Sequence, residues 1–306
     1  MDLPTLKIKV AAVHAAPVYM NKRATTEKVV RLIHEAKLKG IKLLVFPETF
    51  IPGYPYFIMS YPPLKQVTAL AQYAEQSVVT QGESAVEILV IRSACQEAGV
   101  AICLGVSERI AGGFTLFNSQ VNIDSDGELL GVHRKLQPTY AERSVWAQGG
   151  GVTLRTYKYA GGYNLGALCC WENCMQLARQ ALVEQNEHIH AASWPALTAI
   201  AGFEAALMKS HALMCQTFVI CALCLTWMEE NLGKQDLIKR GGGCETERFV
   251  NAEIDLSELG VVKVWIDAAG HYKRPEVLTL GVDKKPIWAD ERKQAAGDEG
   301  GREEHS

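Results

Sequence analysis

The sequence predicts a mixed α/β domain built in layers, its sheets covered by helices. Two observations predict it. Short, nearly continuous apolar runs such as "IKLLVFPE" (41–48) alternate with helical patterns early in the chain, and antiparallel hairpin patterns appear midway. "LKIKVAAVH" (6–14) alternates and then turns apolar, as a strand entering a sheet does. In "ATTEKVVRLIHEAKLKG" (24–40), Thr25 and Thr26 are the candidate caps, Val29, Val30, Leu32 and Ile33 share one side, and Gly40 is the stop. "IKLLVFPE" reads as a strand buried on both faces and ended by Pro47.

A second round follows, with a helix over roughly 84 to 98 and a strand at "VAICLGVSE" (100–108). "TLFNSQVNIDSDGELLGVHRKL" (115–136) reads as two strands joined at Asp126-Gly127. "YNLGALCCW" (163–171) is a further buried strand, with a helix expected from near Glu172. "HIHAASWP" (188–195) and "FVICALCLTW" (218–227) repeat the strand theme around another helix. Residues 1–283 are expected to form one domain. The polar, charged residues 284–306 are expected to be a disordered tail.

Composition excludes several classes. With 48% hydrophobic residues and a formal net charge of −3, the chain can bury a large core and carries no nucleic-acid footprint. No apolar run reaches the ~18 to 20 residues of a membrane span, and the first residues lack signal-peptide order. An odd count of nine cysteines, spread through apolar stretches, argues against a secreted disulfide framework and for a reducing cytoplasm.

"GALCCWENCMQLARQAL" (166–182) crowds Cys169, Cys170 and Cys174 together. A zinc set of Cys170, Cys174, His188 and His190 matches no usual spacing, so no metal is expected. The C-x-x-C of Cys221 and Cys224 lies in an apolar strand pattern, where such cysteines act as small hydrophobes. A nucleophile reading uses position instead. Cys170, Glu48 and Lys135 each close an apparent strand, where active groups of α/β sheets commonly sit. Each also has a bland reading: a buried cysteine, a capping glutamate, a surface lysine.

Five segments in order, "FPETFIPGYPYF" (46–57), "HRKLQPTYAERSVW" (133–146), "CWEN" (170–173), "HIHAASWP" and "GHYKRPEVL" (270–278), resemble the nitrilase branch of the carbon–nitrogen hydrolases. The resemblance implies a four-layer αββα sandwich and a catalytic triad of Glu48, Lys135 and Cys170, with Glu142 holding the lysine and substrate. It also implies a homodimer that builds larger homo-oligomers or spirals. Within it, the Trp171 backbone N–H becomes an oxyanion donor, Tyr54 and Trp194 line the acyl pocket, and His271 supports the site. The expected reaction converts an organic nitrile to the carboxylic acid and ammonia, with no cofactor. Amidase or cyanide hydratase activity, or a silent assembly scaffold, are the alternatives.

Two departures stand out. "ERSVWAQGGG" (142–151) places Gly150 where the family commonly carries a carboxylate. "GGGCETERFVNAEIDL" (241–256) joins two segments that a hairpin of about 20 residues normally separates in the resembled family, so one C-terminal hairpin is expected to be missing.

Overall fold

The computed structural model describes residues 6–196, 202–224 and 246–291. Two sheets carry the chain. The first has the strand order β10-β1-β2-β3-β4-β5, formed by β1 (Lys7–His14), β2 (Leu43–Val45), β3 (Ala101–Arg109), β4 (Leu116–Ile123), β5 (Leu129–Arg134) and β10 (Arg248–Asp255). The second has the order β6-β7-β8-β9, formed by β6 (Tyr157–Lys158), β7 (Asn164–Cys169), β8 (Ile189–Trp194) and β9 (Phe218–Leu223). β1, β2 and β3 run parallel, as do β7, β8 and β9, while the remaining pairs are antiparallel.

Strand alternation separates the layers. Val10, Ala12, Leu43 and Val45 face the second sheet and meet Leu165, Ala167, Ile189 and Ala191. Their neighbours Ala11, Val13 and Leu44 face the other way. There they bury Val29, Ile33 and Ala36 of α1 (Lys22–Leu38) and Ile88, Ile91 and Ala94 of α3 (Val86–Ala98). On the far side, Leu168 packs on Ala178, Ala181 and Leu182 of α4 (Gln176–Val183). Helix α5 (Phe203–Cys215) connects β8 to β9 and sends Met208 against Trp194. The expected order, helices then two facing sheets then helices, is therefore the observed one. Burying each large aliphatic side chain contributes about 1.5 to 3 kcal/mol, which makes these interlayer contacts the main support of the fold.

Local details differ from expectation. Helix α1 is capped by Asn21, whose side chain accepts from the Ala24 N–H at 3.0 Å. Thr25 and Thr26, expected as caps, lie inside the first turns; Thr25 bonds Val18 O and Thr26 bonds Lys22 O. After β7 the chain makes a tight 3-10 turn over Cys170–Cys174, and the α-helix begins only at Gln176. Asn173 explains the delay: its side chain bonds backward to Leu168 O and Cys170 O and holds the turn tight. Helix α2 (Pro63–Gln76), led by a proline at its start, was not anticipated.

Of the tail expected from 284, residues up to 291 are described and dock on the body. Trp288 stands edge-on against Phe117 at 5.0 Å, and Asp290 pairs with Arg134. The buried Glu291 carboxylate lies against Gly150, where a Cβ would come within 2.9 Å of it. A carboxylate from the far end of the chain thus fills the space beside the residue that lacks one. The expected hairpin loss falls at 225–245, outside the described residues.

Candidate active site

Three chain reversals at the ends of β2, β5 and β7 build the site. Glu48 follows β2 beyond Pro47, and β3 crosses so closely that a Cβ at Gly105 would lie 2.1 Å from Pro47 O. Asn118 of β4 holds two of the three groups in register. Its carbonyl accepts the Lys135 N–H at 2.8 Å, and its side-chain Nδ2 donates to Glu48 Oε1 at 2.7 Å. Lys135 stands one residue past β5 and points inward, with Nζ 2.8 Å from Glu48 Oε1 and 2.8 Å from Glu142 Oε2. Glu142, in the turn Tyr140–Ser144, also accepts from the Thr139 N–H and from the Tyr54 hydroxyl at 2.9 Å. Thr49, Tyr140 and Cys170 all adopt left-handed backbone angles, with φ of 44°, 48° and 50°. Non-glycine residues rarely hold that conformation, so strain is stored beside each functional carboxylate and at the thiol itself.

Glu48, Lys135, Glu142 and Cys170 are all essentially inaccessible to solvent. Burial pushes the Glu48 carboxyl up to about 7, with Lys135 pulling it down and Glu142 pushing it further up. Burial alone would discharge Lys135, but the Glu48 and Glu142 carboxylates outweigh it and keep the ammonium. The Cys170 thiol is raised by burial and by Glu48, while Lys135 and a bond from the Trp171 N–H oppose the rise. Cys170 is therefore a thiol at rest, and an attack on substrate needs a base. Among the described residues, Glu48 Oε2 has no hydrogen-bond partner while Oε1 is held twice, so one oxygen is left to receive a proton.

Two buried carboxylates brace the turn that carries the thiol. Glu172 accepts from Cys169 N at 2.9 Å, from Leu136 N at 2.8 Å and from His133 Nε2 at 3.1 Å, which ties the end of β7 to the segment after Lys135. Burial would raise Glu172, yet His133 and those N–H groups hold it below the usual range. Glu187 sits behind β8 between His190 and His211.

The predicted residues divide clearly. Lys135 bonds both Glu48 and Glu142, and their charges act on Cys170 on the facing sheet. Trp171 and Trp194 meet edge to face at 5.8 Å beside Cys170, and the buried Trp194 Nε1 has no partner among the described residues. Tyr54 is present, but its hydroxyl is engaged by Glu142 and its ring packs on Trp146. His271 is not brought to this group. It lies exposed, bonded to Trp265 O, because its segment docks on the end of α4 through Gln180–Ala268 and Lys273–Glu184 bonds. Cys174 is exposed and His188 bonds Asn164 and Asn186, so no zinc set forms from the crowded cysteines. Among the described residues, the one group close enough to hold a metal is Glu187, His190 and His211. Asn118, Glu172 and Asn173 have no site role in the sequence alone, and His190 stands there only as one member of a zinc set. One signal was available: "LFNSQVNI" is a strand pattern with polar residues on both faces, and every one of them is buried.

Residues 9–252 match the family model of the carbon-nitrogen hydrolases. The chain belongs to that family. It is 35% identical to an aliphatic nitrilase of Rhodococcus rhodochrous, over 92% of this chain and 84% of that protein. It is 35% identical to a nitrilase of Pseudomonas syringae pv. syringae, over 91% of this chain and 90% of that one. An arylacetonitrilase of Hypocrea virens is 33% identical over 93% of this chain and 95% of its own length. In solved structures, Nit3 of Saccharomyces cerevisiae, a member of branch 10 of the nitrilase superfamily, superposes with a TM-score of 0.70 at 16% identity, covering 90% of this chain and 99% of that one. A carbon-nitrogen hydrolase of Helicobacter pylori G27 gives 0.68 at 19% identity, covering 89% and 97%. These superpositions carry the fold. No helix among the described residues is long and apolar enough to cross a membrane.

Proposed function

We propose that this carbon–nitrogen hydrolase is a nitrilase, converting an organic nitrile to its carboxylic acid and ammonia. The observation that carries the reading is the division of Glu48: one oxygen fixed by Lys135 and Asn118, the other buried and without a hydrogen-bond partner among the described residues. Nitrilase relatives at 35% identity across almost the whole chain support it.

The nitrile carbon is attacked by Cys170 Sγ as the thiol proton passes to Glu48 Oε2, and that proton then reaches the nitrile nitrogen to give a thioimidate. Lys135 and the Trp171 N–H stabilise charge developing on nitrogen and later on oxygen; losing one such donor typically costs about 2.7 to 4 kcal/mol of barrier. Glu48 next takes a proton from water as it adds to the thioimidate carbon. Ammonia leaves, a thioester remains, and a second water releases the acid and restores the thiol. Glu142 holds Lys135 from the opposite side to Glu48. The apolar wall of Trp194, Met208 and Ala192 suits an uncharged substrate.

The same proposal includes self-association and a reducing cytoplasmic location. Exposed Val261, Val264 and Trp265 on α6 (Glu258–Trp265) support the first, and light scattering on the eluting protein measures it. The described cysteines are all free, in keeping with the second. The test of activity is ammonia release from a panel of aliphatic, aromatic and arylacetic nitriles, with Cys170→Ala as control. Acid and ammonia from wild type alone are expected. Amide as the main product, or turnover confined to amides or cyanide, overturns the nitrilase reading in favour of an amidase or hydratase. No turnover on any of these leaves the scaffold reading.

A further inference from the structure

Behind the nucleophile, on the side away from Glu48 and Lys135, lies a buried chain of polar groups that the reaction above does not use. Asn173 Nδ2 donates to Cys170 O at 2.9 Å and to Leu168 O at 3.2 Å. Two carbonyl acceptors on the nitrogen fix which way the amide faces, so its oxygen is the atom 2.8 Å from His190 Nε2. His190 Nδ1 lies 2.7 Å from Glu187 Oε1. His190 therefore bridges the Asn173 amide oxygen and the Glu187 carboxylate, one ring nitrogen to each. Glu187 stays ionised. Burial would raise its carboxyl, but His190 and His211 bring it down to about 2. Its second oxygen takes the Nε2–H of His211 at 3.1 Å.

His211 completes the picture. Its ring stacks on His190 at 3.9 Å between centroids, and burial together with the neighbouring His190 charge lowers it to about 4, so it is neutral. Arg179 of α4 and Cys215 of α5 are the other titratable groups facing the cluster. Asn173, Glu187, His190 and His211 are all buried to 1% exposure or less. An unpaired charge in such a place costs several kcal/mol, so the arrangement holds only while every partner is present.

We propose that Glu187, His190 and Asn173 form a positioning relay for the nucleophile. His190, held by the Glu187 carboxylate, orients the Asn173 amide, and that amide pins the Cys170 carbonyl so that the residue keeps its strained left-handed conformation. The relay acts through backbone geometry and touches no substrate. Its consequence for turnover rests on the nitrilase reading, whereas its consequence for the thiol does not. Replacing the Glu187 carboxylate takes away the charged partner that fixes the His190 ring, and with it the hold on the Asn173 oxygen. The amide then turns, and the Cys170 turn relaxes.

The test compares Glu187→Gln, Asn173→Asp and the double variant, with thermal melting as the check of folding. Two rates are read: alkylation of Cys170 by iodoacetamide, located by peptide mass spectrometry, and nitrile turnover. Each single variant is expected to lower both the alkylation rate and kcat about tenfold or more with KM within twofold, and the double variant to match the worse single one. Alkylation and kcat within twofold of wild type in folded Glu187→Gln, or losses that multiply in the double variant, overturn the relay. If no nitrile is turned over, alkylation still decides. If the variants fail to fold, nitrogen-15 NMR of wild type decides: a proton on His190 Nε2, donated to Asn173, is expected, and a ring protonated on Nδ1 alone overturns the proposal. Zinc or another transition metal at one equivalent in the purified protein, lost with Glu187→Gln, also overturns it, because the same three side chains would then be ligands.

Discussion

The two sheets support their share of the site in different ways. On the first sheet, Glu48, Lys135 and Glu142 hold one another directly, through charge-assisted bonds of 2.8 Å closed around one ammonium. On the second sheet, the Cys170 sulfur meets the Trp171 N–H and has no charged bonding partner among the described residues, and its turn is held from behind through backbone atoms by Asn173 and Glu172. The difference follows from what each side must do. In the proposed reaction, charges that steer protons need fixed neighbours, whereas a thiol that attacks carbon needs an unclamped sulfur on a fixed backbone. Ser193, whose hydroxyl donates to Phe46 O and accepts from Gln120, stitches the sheets together so that the two halves meet.

The comparison is broken most severely by removing the shared ammonium. Lys135→Met leaves Glu48 and Glu142 facing each other in a dry site. It is expected to cost about 3 to 5 kcal/mol of stability, read by denaturant unfolding, and to abolish measurable turnover. Glu48→Gln is the next test. It removes the base while keeping an acceptor for Lys135, so turnover is expected to fall by about 10² to 10⁴ with little loss of stability. In wild type, Glu48 must be ionised to take the thiol proton. With its carboxyl at about 7, kcat/KM is expected to fall about tenfold per pH unit below that value. An unchanged rate down to pH 5 contradicts Glu48 as the base.

The smallest effect sharpens the comparison from outside the site. Arg134, next to Lys135, is bonded by Glu108 and by Asp290 of the docked 284–291 segment, while Trp288 covers Phe117 beneath it. We propose that the ordered domain extends through residue 291. Trp288→Ala is expected to cost about 1 to 2 kcal/mol and to lower kcat only a few fold, again with unfolding curves and initial rates as the measurements.

Most strands were legible because apolar runs between helical patterns leave few alternatives, and each catalytic candidate closes such a run, whereas β6, only two residues long, offers no period to read. The helix after Cys170 was misplaced by four residues because its start depends on where the Asn173 side chain bonds, which no periodicity records. His271 failed for a related reason: "GHYKRP" marks a family segment, but only three-dimensional docking shows it against α4 and away from the thiol. His190 was visible only as part of an HxH in an apolar strand. Its role emerges once Glu187, Asn173 and His211, from three different segments, converge on one ring. The 284–291 strap reads as solvated by composition, and the burial of Glu291 beside Gly150 depends on a contact across half the chain.

The central claim, a thiol of Cys170 attacking nitrile carbon with Glu48 as base, is tested most directly by quenching turnover in acid and weighing the Cys170 peptide. Wild type is expected to yield a fraction of this peptide carrying the acyl group, and Glu48→Gln, slowed at the attack itself, a much smaller fraction or none. Turnover by wild type with its Cys170 peptide unmodified, or with the adduct on another cysteine, contradicts it, as does a wild-type-sized fraction on Glu48→Gln.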